Sequence, residues 1–376
     1  MICSGVEALT GRAVDVTFGT RIESVAPAPG SATFLAPAFI DVQVNGFAGV
    51  DFNSPATTHE AIGHATRVIR GTGVARYFPT VITGSPENMT ESLRNLARAA
   101  ESIAERSSIA GFHVEGPHIA PEDGPRGAHP LEWVQAPNLD LFHRMQDAAG
   151  GRIRLLTISP HWPGAPAYIE KVAQSGVTVS IGHTSATAEQ LDAAVQAGAT
   201  LSTHIGNGAH QVLHRHPNYL WDQLADDRLI AGMIVDGIHL GAAFLKVAVR
   251  AKTPARSLLV TDASTPACCA PGRYYLGRQT VDLTPDGRVV LAGQQRLAGS
   301  ALRMDDAISN VMAMAGVTLA EAVGMASLVP ARACQIPGRR NGLVPGDAAD
   351  LVEFDLVDGR VKVTGLYIDG EKVAIS

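Results

Sequence analysis

The chain has 376 residues, of which 46% are hydrophobic and 18% charged, with a formal net charge of −6. That is enough apolar material for one large α/β domain and a small accessory one, and the mild acidity argues against a nucleic-acid partner. No apolar run reaches membrane-spanning length and the N-terminus lacks the basic-then-apolar pattern of a signal peptide; the four cysteines (Cys3, Cys268, Cys269 and Cys334) show no Cys-x-x-Cys spacing, so a reduced, cytoplasmic protein with no membrane partner is expected.

The chain opens with short alternating segments, Ala13–Val16 and Arg21–Ala26, broken by Gly19 and by Pro27-Ala-Pro-Gly30. Segments of the same character close it: Asp350–Phe354, Arg360–Thr364 and Leu366–Ile368, separated by Asp-Gly turns. Neither end can bury a core alone. Together, residues 1–36 and 335–376 are expected to form one small β-sandwich.

Between them, apolar strand, polar loop and amphipathic helix repeat. The expected strands are Phe39–Asn45, Arg76–Ile82, Ile109–Glu115, Ile153–Ser159, Val177–His183, Thr200–Ile205, Ile230–Asp236 and Leu258–Asp262. Helices are expected at His59–Arg70, Asn88–Glu105, Ala167–Gln174, Ala188–Ala197 and Ala243–Ala251. Near-continuous apolar strands imply a parallel sheet covered on both faces. The count of eight favours a closed (β/α)8 barrel of the TIM type over residues 37–334. A doubly wound open sheet is the alternative, but no Gly-x-Gly-x-x-Gly follows any strand. Past the eighth strand, residues 273–297 read as an inserted β-hairpin around Thr284-Pro-Asp-Gly287, followed by helices at Met304–Ala315 and Leu319–Cys334.

Polar residues collect where these strands end. The third ends His113-Val-Glu115-Gly-Pro117, and alternation puts His113 and Glu115 on one face. A loop rich in Gly and Pro then returns His129. The fifth strand ends at His183, the sixth runs into His204 and Asn207, the seventh is followed by Asp236-Gly-Ile-His239, and the eighth ends at Asp262. One such histidine is ordinarily a packed core residue. Glu, His, His and Asp at four strand ends of one barrel are hard to explain by packing, and suit a divalent metal with acid–base chemistry.

The ordered set of stretches goes further. Pro37-Ala-Phe-Ile-Asp-Val-Gln-Val-Asn-Gly46, His113-Val-Glu-Gly-Pro117, Gly127-Ala-His129, Ile181-Gly-His-Thr-Ser-Ala186, Thr203-His204 with Asn207, Asp236-Gly-Ile-His239, Val260-Thr-Asp-Ala263, Leu297-Ala-Gly-Ser-Ala-Leu302 and Pro330-Ala-Arg-Ala333 span nearly the whole chain. On them the sequence resembles the amidohydrolase superfamily and, within it, the N-acetylglucosamine-6-phosphate deacetylase family. The resemblance implies a (β/α)8 barrel with a β-sandwich built from both termini, and hydrolysis of the N-acetyl amide of an amino sugar.

Many amidohydrolases hold two metals through His-x-His on strand one and a carboxylated Lys on strand four. Here Gln43-Val-Asn45 stands at the first position and residues 152–159 contain no Lys. Neutral amides are poor zinc ligands. The resemblance therefore implies one divalent metal per chain, zinc before others, held by Glu115, His183 and His204 with a position open for water. It implies Asp262 as general acid–base and His129 as oxyanion stabiliser. It assigns Asn207, Gly208, His239 and Arg215 to the sugar and its phosphate, the arginine reaching across a homodimer.

Other candidates read as structure. Cys268 and Cys269 have no base beside them, and Trp162 and Trp221 have the commoner use of packing; His161 stands where the resembled family usually has Glu, and its role is left open. Two departures touch the substrate: Ile205-Gly-Asn-Gly-Ala-His210 and Arg215-His216-Pro217 differ from the family pattern. They leave open a differently phosphorylated or unphosphorylated N-acyl amino sugar. A catalytically silent sugar-binding barrel is the reading from another class.

Overall fold

In the computed structural model, which describes residues 1–30, 32–339 and 341–375, eight parallel strands pair in chain order around a barrel. They are β1 (Phe39–Val44), β2 (Val74–Ile82), β3 (Phe112–Glu115), β4 (Ile153–Ile158), β5 (Thr178–Ile181), β6 (Ala199–Ser202), β7 (Ile230–Met233) and β8 (Ser257–Leu259). The ring closes between β8 and β1 just past the ladder: Asp262 N donates to Gln43 O at 3.0 Å and Asn45 N to Ala263 O at 2.7 Å. Burial on both faces explains the unbroken apolar runs; β1 and β3 through β5 are buried at almost every position.

Helices cover the outside where the 3.6-residue period predicts them, beginning at His59–Arg70 with Thr58 as N-cap. Two short helices lie outside the expected set. Leu139–Ala148 is capped by Asn138 and buries Leu141, Phe142 and Met145; Tyr219–Ala225 is capped by Asn218. The expected helix Leu319–Cys334 is two, Leu319–Ala326 and Leu328–Ala333, broken at Ser327.

The termini build one seven-stranded sheet, to which Ile2–Glu7, Phe34–Pro37 and Glu371–Val373 add strands beyond those expected. The rings of Phe18 and Tyr367 meet edge-on at 5.4 Å, although three strands lie between theirs in the sheet order. A flat sheet would hold strands that far apart at about 19 Å. The sheet therefore folds back on itself, as a sandwich does, over its own core of Val16, Phe18, Leu35 and Leu351. Asp350 joins it to the barrel: buried, it pairs with Arg76 of β2 at 2.7 Å and with buried Arg339.

The expected hairpin is a three-stranded antiparallel sheet, Gly272–Leu276, Gln279–Leu283 and Val289–Leu291. Its small core, Leu276, Val281, Leu283, Val289 and Ala298, packs on Ile82 at the end of β2 and on Ala128. The insertion thus roofs one side of the barrel mouth.

Candidate metal centre

Glu115 is the last residue of β3, while His183, His204 and Asp262 lie two or three residues beyond β5, β6 and β8. These three have φ of 49°, 27° and 50°. A side chain in that left-handed region costs roughly 1–2 kcal/mol. Strain of this kind persists only where the surroundings impose it. Here neighbours hold the chain on either side: Ala120 N donates to His183 O at 2.9 Å, Ile205 N to Gly232 O at 2.8 Å, and Ser300 N to Asp262 O at 2.9 Å.

The result is a convergence of three lone-pair atoms. Glu115 Oε1 lies 3.0 Å from His183 Nε2 and 2.9 Å from His204 Nε2, and the two nitrogens are 3.1 Å apart. Ligands about 2.0–2.1 Å from a tetrahedral cation are roughly 3.3 Å from one another, so the set fits such an ion with little movement. His183 Nδ1 is 2.7 Å from the carbonyl of Pro125. That contact needs the ring proton on Nδ1 and leaves Nε2 as a ligand, the usual support for a metal-binding histidine. All three side chains are buried. Burial would raise Glu115, but its hydrogen bonds to the two imidazoles prevail and hold it well below the ordinary carboxylate range. His204, which burial would lower, is raised by the same carboxylate.

Asp262 stands beside this cluster. Its Oδ1 accepts from Asn45 Nδ2 at 2.7 Å and Gln43 Nε2 at 3.0 Å. Burial, and then the charge of Glu115, push it up to about 6. His129 packs edge-on against His183, ring centres 4.4 Å apart, with Nδ1 2.8 Å from Thr83 Oγ1. Burial first, then His183, push His129 down to about 3, so it is a neutral imidazole at pH 7. His239 Nδ1 is 2.6 Å from Asp236 Oδ2. His113 lies one layer down the barrel, its Nε2 2.8 Å from Thr157 Oγ1, and burial pushes it to about 4. It shares a face with Glu115 as alternation requires but supports the floor of the site.

Glu115, His183, His204, Asp262, His129 and His239 line one cavity of about 120 Å³, together with Asn207 and Gly208. Gly208 is there for closeness: a Cβ on it would meet His183 Nδ1 at 2.7 Å, and its φ is +55°. Arg215 does not line this cavity; its side chain is exposed. His161 Nδ1 lies 2.6 Å from Ser159 Oγ and its ring packs on Trp162, whose Nε1 donates to Ile119 O at 3.1 Å; neither lines the cavity. Neither Cys268 nor Cys269 lines the cavity. Sequence reasoning missed Thr83 behind His129 and Leu276 on the inserted sheet, both of which reach the site through tertiary contact alone.

An eight-stranded barrel with a Glu–His–His cluster at its C-terminal mouth defines a class, and a family model described as "Amidohydrolase family" matches residues 34–373. The chain belongs to the amidohydrolase family. Its similarity is to deacetylases of phosphorylated amino sugars. It is 33% identical to the N-acetylglucosamine-6-phosphate deacetylase of Danio rerio over 352 residues, covering 90% of this chain and 84% of that one. It is 32% identical to the N-acetylgalactosamine-6-phosphate deacetylase of Escherichia coli O157:H7, covering 93% and 92%. Among solved structures, N-acetyl-D-glucosamine-6-phosphate deacetylase from Mycobacterium smegmatis superposes with a TM-score of 0.90 at 30% identity over the full length of both chains.

Proposed function

We propose that the protein is a metal-dependent deacetylase that hydrolyses N-acetylglucosamine 6-phosphate to glucosamine 6-phosphate and acetate. The observation that carries this is the approach of Glu115, His183 and His204 to within 2.9–3.1 Å of one another beside buried Asp262. Relatives on both sides of 30% identity that act on this substrate by name support the choice of sugar.

A divalent cation on the three ligands supplies the Lewis acidity that makes water a nucleophile near neutral pH and polarises the amide carbonyl. Zinc suits two imidazoles and a carboxylate, and one ion is expected because Gln43 and Asn45 are spent on Asp262. Asp262 takes the proton of the attacking water and returns it to the leaving amine. His129, its ring held by the 2.8 Å contact of Nδ1 with Thr83 Oγ1, donates from Nε2 to the oxygen on which charge develops in the tautomer that carries the proton there. Asn207 and the Gly208 backbone hold the sugar. His239, braced by Asp236, faces the phosphate.

Arg215 is assigned to the other active site of a homodimer, a reading supported by its exposure and by the nearby apolar surface of Val212 and Trp221, 87% and 49% exposed. The same reading makes residues 37–334 the catalytic unit and residues 1–36 with 335–376 the accessory one, supported by the separate core of the terminal sheet. No helix among the described residues is long and apolar enough to cross a membrane, and four free cysteines support a reducing cytoplasm.

A second reading, N-acetylgalactosamine 6-phosphate as substrate, is favoured by the equally similar Escherichia coli relative. Acetate release from both 6-phosphates, from unphosphorylated N-acetylglucosamine and from a simple N-acetyl amine tests both. The 6-phosphate of N-acetylglucosamine should be the best substrate; acetate from none of the four would end the proposal.

A further inference from the structure

His129 differs from the other groups of the site in what carries it. Glu115 ends a strand, and His183, His204 and Asp262 follow theirs by two or three residues. His129 lies far from any strand, in residues 116–130, which form only turns, bends and irregular backbone. A side chain on such a segment is placed no more precisely than the contacts that grip its backbone. Thr83 holds the ring at Nδ1, and Arg126 of the same segment donates from Nη1 to His129 O at 2.9 Å. Neither contact ties residues 127 and 128 to a rigid element.

That tie comes from the inserted sheet. The carbonyls of the two residues before His129 both accept from its side chains: Gln279 Nε2 donates to Ala128 O, and Arg296 Nη1 to Gly127 O at 3.1 Å. Arg296 Nη2 lies 3.4 Å from Asp123, a second hold on the same segment. Ala128 also packs on the sheet's core of Leu276, Val281 and Leu283. The sheet is anchored in turn. Gly277 N, at its first turn, donates to Asp51 Oδ2 at 2.7 Å, and past its return Ser300 N donates to Asp262 O at 2.9 Å. The chain thus leaves Asp262, grips the backbone beside His129 and comes back to Asp262. Gln279 Oε1 is buried without a hydrogen-bond partner, an unfavourable arrangement for a residue that serves packing alone. Its amide is accounted for by the donor it gives to Ala128.

We propose that the inserted sheet sets the position of His129 relative to Asp262 and the metal ligands, with Gln279 and Arg296 as positioning residues. The proposal rests on the deacetylase reading, which gives His129 its role at the amide oxygen, and deepens it: the insertion aligns a catalytic group as well as roofing the mouth. Gln279 makes its one contact with the segment through Ala128 O, so it is the cleaner position to test.

Wild type, Gln279→Leu, His129→Ala and the double variant are compared for kcat and KM on N-acetylglucosamine 6-phosphate, and hydrogen–deuterium exchange of residues 116–130 is measured on wild type and Gln279→Leu. Leucine keeps much of the side-chain volume and removes the donor. Gln279→Leu should lower kcat by about 10- to 100-fold, because displacement of a reacting group by about 1 Å can cost about 10²-fold. KM should stay within about twofold, as for an interaction that acts only in the transition state. Exchange across the segment should quicken. In the His129→Ala background the same substitution should change kcat by less than about twofold, since residues that act as a unit are not additive. Two losses that multiply in the double variant overturn the positioning role, as do wild-type kcat and wild-type exchange in a folded Gln279→Leu. Arg296→Met, which removes the other donor, takes the place of Gln279→Leu if that variant does not fold, with the same expectations. If wild type releases no acetate, the deacetylase reading fails and the proposal with it; multiplying losses in an active enzyme end the proposal alone.

Discussion

The amide of Gln43 donates to two carboxylates at once: its Nε2 is 3.0 Å from Glu115 Oε2 and 3.0 Å from Asp262 Oδ1. It therefore links the carboxylate proposed as a metal ligand to the one proposed as acid–base. Two buried negative charges this close repel, and a neutral donor between them is a way to keep both ionised in fixed orientations. Asn45 adds a second donor to the same Asp262 oxygen. Both amides thus act on the carboxylate proposed as acid–base.

Gln43→Leu removes that bridge. Asp262 already stands at about 6 through burial and the charge of Glu115, and loss of a donor to its charged form raises it further. Because the carboxylate must be ionised to accept a proton, the acid limb of kcat/KM should move to higher pH by roughly one unit, the equivalent of a hydrogen bond to a charged group. A pH–rate profile measures this, and an unmoved limb would mean that Gln43 has no hold on the base.

Asp262→Asn keeps the shape of the side chain but cannot take or return a proton. Turnover should fall by about 10²–10⁴-fold, with metal content and melting temperature near wild type. Near-normal turnover would place the base elsewhere, with His239 the next group lining the cavity.

Much of this site is legible in the sequence because strands bring it together by rule. Eight apolar runs, six of them ending in a polar residue, predict a barrel mouth, and Glu115, His183, His204 and Asp262 meet there. What pattern cannot show is the backbone past the strands. The expected β5, β6 and β8 run on to His183, Ile205 and Asp262, whereas the ladders stop at Ile181, Ser202 and Leu259. Positive φ at His183, His204 and Asp262 is imposed by tertiary neighbours, and no glycine marks it. Thr83 and Gln43 are a hydroxyl and an amide whose partners lie 46 and 72 residues away in the chain. The helix Leu139–Ala148 does carry a signal in the sequence, Asn138 as cap ahead of Leu141, Phe142 and Met145 at helical spacing.

Gly208→Ala tests the close packing behind one ligand. The added methyl would sit 2.7 Å from His183 Nδ1 and 3.0 Å from its Cγ, on a backbone with φ of +55°. His183 must shift, and displacement of a reacting group by about 1 Å can cost about 10²-fold in rate. Reduced metal occupancy should accompany the lost turnover. Wild-type values of both would show that the ring moves freely.

Asp350→Ala addresses the joint between barrel and terminal sheet. It leaves Arg76 and buried Arg339 without their common partner. Breaking a buried pair in this way costs about 3–5 kcal/mol, readable by chemical denaturation. Burial would raise Asp350, but the two arginines prevail and hold it below the ordinary carboxylate range. Its contribution is therefore complete above the unfolded value of about 4 and is lost as pH falls through the lower folded value. The difference between wild type and Asp350→Ala should be full at pH 7 and shrink in acid below about pH 4; a difference that grows in acid would contradict the pairing.

The central claim is that Glu115, His183 and His204 hold a single catalytic divalent ion, and elemental analysis of the purified protein beside Glu115→Gln tests it most directly. About one equivalent per chain, zinc before other metals, is predicted for wild type, with little or none in a folded Glu115→Gln. Two tightly held ions per wild-type chain, or full occupancy in Glu115→Gln, would contradict it.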